Sequence, residues 1–321
     1  MYDWVLSTFE KQRPFLYEHV GPILAANFKG STLANNSLYV DPLAAFITAF
    51  LPILRQKIRL SILSIQSQPP KVSSFMKALM NFDTSLRNEF KYDGGDPERP
   101  WKGITSEMCD EFEDLWLSAE MEFAVARYKE IVNAPENGQL DYDIAGPGRT
   151  KPTHGALNIM NLLRNVTLSY QSLLRFHTKI KFVIDIQISI LDRYHNRLRD
   201  SLEAYAALTS TIGRTLHGGN REDQAKLEGI GGLTHLCRIF GSASHVVSVL
   251  EEWSNELVIH CPVTFIYLMY SIWTYLTFDI DFCRTMARIA AANETKVRHG
   301  FNSINTLRRH QEKHFICCRD K

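Results

Sequence analysis

The sequence predicts an all-α protein. Apolar residues recur at three- and four-residue spacing along nearly the whole chain, and alternating runs of strand type are almost absent. Between the periodic stretches stand clusters rich in Gly, Pro, Asn and Asp, the residues that start and stop helices.

The elements follow in order. DPLAAFITAFLPILRQKIRLSIL opens with Asp41 as N-cap and Pro42 at the first helical position, where a missing amide costs nothing. Pro52 inside that run predicts a kink, and QSQPPK ends it. Helices are expected at Val72–Phe90 and, after the loop YDGGDPERPWKG, at Thr105–Asn133. APENGQLDYDIAGPGRTKPTHG reads as a mobile surface loop. Further helices are expected at Ala156–Leu174, Thr178–Leu216 and Gly232–Val258, with HGGNREDQAKLEGIGG separating the last two. No repeat of solenoid period stands out. The expected organisation is a first helical bundle region at 1–133, a second at 156–258, and a divergent tail at 259–321.

Lys and Arg number 36 against 35 Asp and Glu, a net charge of +1. Nucleic-acid binding draws on a basic excess to neutralise phosphates, so it is not expected. No uninterrupted apolar core follows Met1, which argues against a secretory leader. The six cysteines are scattered without a CxxC and read as reduced thiols of a cytosolic protein.

The most chemical-looking stretch is IKFVIDIQISILDRYHNRLRDSLEAY, Ile180 to Tyr205. Asp192 and His195 stand three apart on one helix face, the spacing of half a helical-bundle di-iron site. A second such half is lacking. Ile184, Leu191, Tyr194, Leu198, Leu202 and Tyr205 instead form one apolar stripe with the charges beside it, and the half from Phe182 to Leu191 leaves hardly any polar face. The stripe accounts for the helix without chemistry, so no catalytic residue, metal site or cofactor is expected; a metalloenzyme using Asp192 and His195 is the alternative.

GPGRTK at Gly146–Lys151 lacks the spacing of a phosphate loop, GIGG at Gly229–Gly232 reads as the end of a loop, and HGG at His217–Gly219 has no nucleophile elbow to accompany it. His310, His314, Cys317 and Cys318 include adjacent thiols, poorly placed for one tetrahedral ion. The uncharged run Cys261–Phe278 is barely long enough to cross a bilayer and is rich in Thr, Ser and Tyr; a single membrane span is a further alternative.

Three blocks carry a resemblance. WLSAEMEFAVARYKEIV resembles a block of the RINT/TIP family of vesicle-tethering subunits at Trp116, Glu120, Phe123, Arg127, Tyr128 and Ile131. The next block is similar at Val166, Thr167, Tyr170, Lys179, Phe182, Gln187, Leu191, Asp192, Tyr194, Arg197 and Leu198. A third, LTHLCRIFGSASHVVSVLEEWSNELV, is similar at Leu250, Trp253 and Glu256. The likeness runs from Met1 to Val258 and stops there; family members are longer at both ends. It implies elongated, stacked helical bundles of the CATCHR tethering class. It further implies a non-enzymatic, cytoplasmic subunit of the Dsl or NRZ complex, peripheral at the endoplasmic reticulum membrane. Its partners would be other tethering-complex subunits and ER SNAREs, in retrograde Golgi-to-ER transport of COPI vesicles.

Overall fold

The computed structural model describes residues 1–94, 101–143, 151–209 and 229–257, and those residues are mainly helical with no strand among them. In chain order the helices are α1 (Tyr2–Phe15), α2 (Gly21–Phe28), α3 (Ser37–Val40), α4 (Pro42–Ile65), α5 (Pro69–Asn88), α6 (Ile104–Asn133), α7 (His154–Tyr170), α8 (Phe176–Lys181), α9 (Ser189–Thr209) and α10 (Gly229–Leu257). π-helical turns at Leu16–Val20 and Phe182–Ile188 join α1 to α2 and α8 to α9. The second lies inside the helix expected from Thr178, which the apolar pattern presents as one uniform run. Gly229–Gly232, read from the sequence as a loop end, falls in the first turn of α10. Most of Gly146–Lys151, His217–Gly219, the run Cys261–Phe278 and the His310–Cys318 cluster lie outside the described residues.

Compactness divides the chain by space and not by order alone. One unit comprises 1–132 with 161–190, and the other 133–160 with 191–321. The segment 161–190, expected in the second region, packs with the first.

In the first unit, α4 starts as its sequence dictates: Asp41 Oδ1 accepts the amides of Leu43 and Ala44 at 2.9 and 3.5 Å. The helix continues past Pro52 to Ile65. Its buried face, Ile47, Leu51, Leu54, Ile58 and Ile62, follows helical spacing. Phe9 of α1, fully buried, stands edge-on to Phe46, Phe50 and Phe90 at 5.5–5.9 Å between centroids, an arrangement worth about 0.5–1.5 kcal/mol per pair beyond area burial.

α6 differs from α4 in being buried on several sides. Ile104, Met108, Cys109, Phe112, Trp116, Leu117 and Ala119 are all buried, and so are Glu113 and Glu120. No Ser, Thr, Asp or Asn precedes it to act as a local cap: the sequence there reads WKGI. The cap comes instead from α5. Asp83, 2% exposed, accepts the amides of Ile104 at 3.0 Å and Thr105 at 2.8 Å, one on each carboxylate oxygen. Gly103 turns into the helix with φ +94°, and a Cβ there would collide with Asp83 and the Arg87 guanidinium. Both facts require glycine. Arg87 donates to the Lys102 carbonyl at 2.8 Å and lies 5.4 Å from the Trp101 ring centre. The loop before α6 is held as well: Tyr92 is buried, meets Trp101 edge-on at 5.0 Å and shares a 2.9 Å hydrogen bond with Thr48.

In the second unit, the segment expected to be a mobile loop is clasped where it is described. Asp141 donates to the Pro152 carbonyl at 2.9 Å, His154 to Gln139 at 2.9 Å and Gly155 to Asn137 at 3.0 Å. The small residues of α10 let this clasp approach closely. Thr153 and Ser242 share a buried 2.7 Å hydrogen bond, and a side chain at Gly241 would strike the Lys151 carbonyl. Leu191, Tyr194, Leu198, Leu202 and Tyr205 of α9 form its buried stripe. His235 of α10 meets it through Ser201 at 3.2 Å and the Tyr205 ring at 6.0 Å.

Burial raises the Asp83 carboxyl from 3.8 to about 6, against the opposing pull of the Thr105 and Ile104 hydrogen bonds and of Arg87. A raised folded-state value means that the folded protein holds this proton more tightly than the unfolded chain. The stabilisation is complete below the unfolded value and is lost as pH rises through about 6. The swing is about 3 kcal/mol. We predict that the stability advantage of the wild type over Asp83→Asn, measured by urea unfolding, shrinks by that order between pH 4 and pH 7. The variant is less stable throughout, because an amide nitrogen would face one of the two backbone donors.

Candidate functional site

Trp116, Glu120, Thr167, Tyr170, Phe182 and Gln187, which carry part of the family resemblance in the first unit, converge on one node between α6, α7 and the π-turn. Trp116, 1% exposed, stands edge-on to Phe182 at 4.8 Å, and Phe182 in turn lies 4.8 Å from the Tyr170 ring. The indole Nε1 donates to Glu120 at 3.2 Å. Ser73 of α5 donates to the same carboxylate oxygen, so a buried acid is held from two helices.

Gln187 completes the node. Its amide nitrogen donates to the Leu163 carbonyl at 3.0 Å and to Thr167 Oγ1 at 2.6 Å, while its oxygen accepts from Tyr170 Oη at 3.0 Å. Leu163, Thr167 and Tyr170 lie on α7 at i, i+4 and i+7, one face of that helix. The π-turn carries Gln187 opposite them, and both ends of the amide are used. π-turns inside helices are rare and are frequently found at functional sites.

Beside the node, α6 and α8 are laced by charge. Glu113, buried, accepts from Thr178 and Lys181; Lys181 also reaches Asp114 at 3.5 Å; Arg175 pairs with Asp110 and donates to the Ser106 carbonyl at 3.2 Å. Burial pushes the Glu113 carboxyl upward, but the hydrogen bonds from Lys181 and Thr178 outweigh it and hold the group below its ordinary range. On another side, Arg55 of α4 grips Glu107 through two bonds at 2.6 and 3.0 Å, and Arg59 grips Glu111 at 2.8 and 3.0 Å. Burial pushes the Cys109 thiol up to about 12, which makes it an inert core residue.

The remaining motif positions are placed as follows. Tyr128 is buried, whereas Phe123 is 58% exposed and Arg127 pairs on the surface with Glu130 at 2.6 Å. In the second unit Leu191, Tyr194 and Leu198 are buried, Asp192 and Arg197 are exposed, and Trp253 is half-buried. Asp192 therefore faces solvent with His195 half-buried on the same helix. Among the described residues no three His, Cys, Asp or Glu side chains stand close enough to hold a metal ion, and no helix is long and apolar enough to cross a membrane.

The node makes a folding claim that can be measured. Tyr170→Phe and Gln187→Leu each strand polar partners, at about 1–3 kcal/mol apiece. We expect the double variant to cost less than the sum of the two, with a coupling of about 0.5–3 kcal/mol in equilibrium unfolding. Strict additivity would mean that the contact carries no stability.

The family model described as RINT-1/TIP-1 family matches residues 1–272. It runs past Val258, where the sequence reading ends the likeness, into the segment read as a divergent tail. No curated protein and no solved structure matches the chain. With most of its length matched, the chain belongs to the RINT-1/TIP-1 family of tethering-complex subunits in ER trafficking.

Proposed function

We propose that this member of the RINT-1/TIP-1 family is a non-enzymatic scaffold of an ER vesicle-tethering complex of the Dsl or NRZ kind, and that it acts in retrograde Golgi-to-ER transport. The observation that carries the reading is what the motif residues do. Trp116, Glu120, Tyr170, Phe182 and Gln187 spend their polar atoms and rings on one another. Their work is to fix helices in register. A tethering subunit needs that property, because its contribution is to hold separate binding surfaces in a defined arrangement.

The partners in this reading are other tethering-complex subunits and ER SNAREs, and attachment to the cytoplasmic side of the endoplasmic reticulum runs through them. Joining several modest contacts in one assembly raises the effective concentration at each, so no single surface need bind tightly.

Affinity purification of the tagged endogenous protein, with mass spectrometry of what it retains, tests the proposal. Recovery of ER SNAREs together with tethering subunits is the expected result. A folded bait that retains neither would overturn it.

A further inference from the structure

α4 is apolar on two opposite faces, and only one of them is covered. Its inner face is the core row from Ile47 to Ile62. Its outer face carries Ala49, Ile53, Gln56, Leu60 and Leu63, all exposed, with Ile53 65%, Leu60 57% and Leu63 41% exposed. The face of a surface helix opposite its core row is ordinarily polar. The outer residues follow a heptad: d at Ala49, a at Ile53, d at Gln56, a at Leu60, d at Leu63. That is the spacing of a seam for a second helix, interrupted by one polar residue, Gln56.

The flanks state what kind of helix. In the same heptad, Lys57 occupies e and Arg59 occupies g. From Pro42 to Asn88 the bases are Arg55, Lys57, Arg59, Lys71, Lys77 and Arg87, against one acid, the buried Asp83. Arg55 and Arg59 are matched from within by Glu107 and Glu111. Lys57, Lys71 and Lys77 are exposed and form no ion pair among the described residues.

We infer that the outer face of α4 is a docking seam for an amphipathic partner helix whose apolar a and d positions are flanked by Asp and Glu. Charge and spacing decide against two other occupants. A second copy would bring the unpaired Lys57 of each chain to the same seam, and like charges across a seam are repulsive. A lipid surface takes a helix with a broad apolar face, whereas the exposed apolar residues here keep to the narrow a/d spacing of a helix seam. The inference rests on the scaffold reading and names the chemistry of one of its partners.

The test uses the full chain and two fluorescent synthetic helix-forming peptides with Leu at a and d, one with Glu and one with Lys at e and g, read by anisotropy. The Glu peptide is expected to bind about ten-fold or more tightly than the Lys peptide and to weaken as salt rises. Leu60→Ser, on a solvent-facing position, removes the binding, and Lys57→Glu reverses part of the preference; unchanged thermal unfolding confirms that both variants fold. Equal binding of both peptides, binding of neither, or an unaffected Leu60→Ser would overturn the inference. So would binding only to phosphatidylserine vesicles, which assigns the face to lipid. If the peptides fail while the tagged chain still retains its tethering subunits, the seam is wrong and the scaffold stands. If those subunits are also lost from the wild-type bait, the scaffold reading has failed first.

Discussion

Thirty residues of α6 begin at a carboxylate that belongs to another helix. Helix starts leave amides without partners, and the ordinary remedy is a polar residue just upstream. Here Gly103 stands in that place, and Asp83 reaches across from α5 to take the first two amides. The cap is therefore a tertiary contact. It sets the rotation and starting height of α6 against α5, and the neighbours that grip α6 further along in the first unit take their register from it.

That register matters because α6 cannot be oriented by a single apolar stripe. From Ile104 to Glu120 it is buried on several sides, and only toward Ala124, Tyr128, Ile131 and Val132 does one face turn inward. A helix greasy on many sides is free to rotate at little cost unless polar pairs pin it. Glu107 and Glu111 toward α4, Glu113 toward α8 and Glu120 toward α5 supply those pins. The exposed pairs add little stability, about 0–1 kcal/mol each. A buried acid left unpaired would be far costlier, so Glu113 and Glu120 penalise wrong registers more than they reward the right one.

The helices were legible because their apolar spacing is local information. Thr105–Asn133 against Ile104–Asn133, and the Asp41–Pro42 start of α4, show how far periodicity and capping reach. The π-turn was hidden: FVIDIQI is apolar except at Asp185 and Gln187, too few polar positions for a slipped polar face to betray a wider turn. Asp83 was hidden too, since an aspartate within an amphipathic helix resembles any surface acid. The usable signal was negative, the want of a capping residue before Ile104. The motif blocks around Trp116, Tyr170 and Gln187 were visible as blocks. Their convergence was not, because ring packing and the amide bridge join residues far apart in sequence.

The same residues show why rigidity and adhesiveness can sit on one helix pair without conflict. In α4, the basic side chains Arg55 and Arg59 bind inward to α6, while the apolar residues Ile53, Leu60 and Leu63 face out. This inverts the usual arrangement on part of the helix. It is tolerable because the inner row from Ile47 to Ile62 already anchors α4 in the core, at about 1.5–3 kcal/mol for each fully buried aliphatic. With its position secured by that row and its rotation fixed by two bidentate arginine pairs, the helix can leave an apolar ridge uncovered without losing its fold. A ridge that is held rigid in advance costs a partner little ordering on contact, and preorganisation of this kind favours affinity even where the contact area is small.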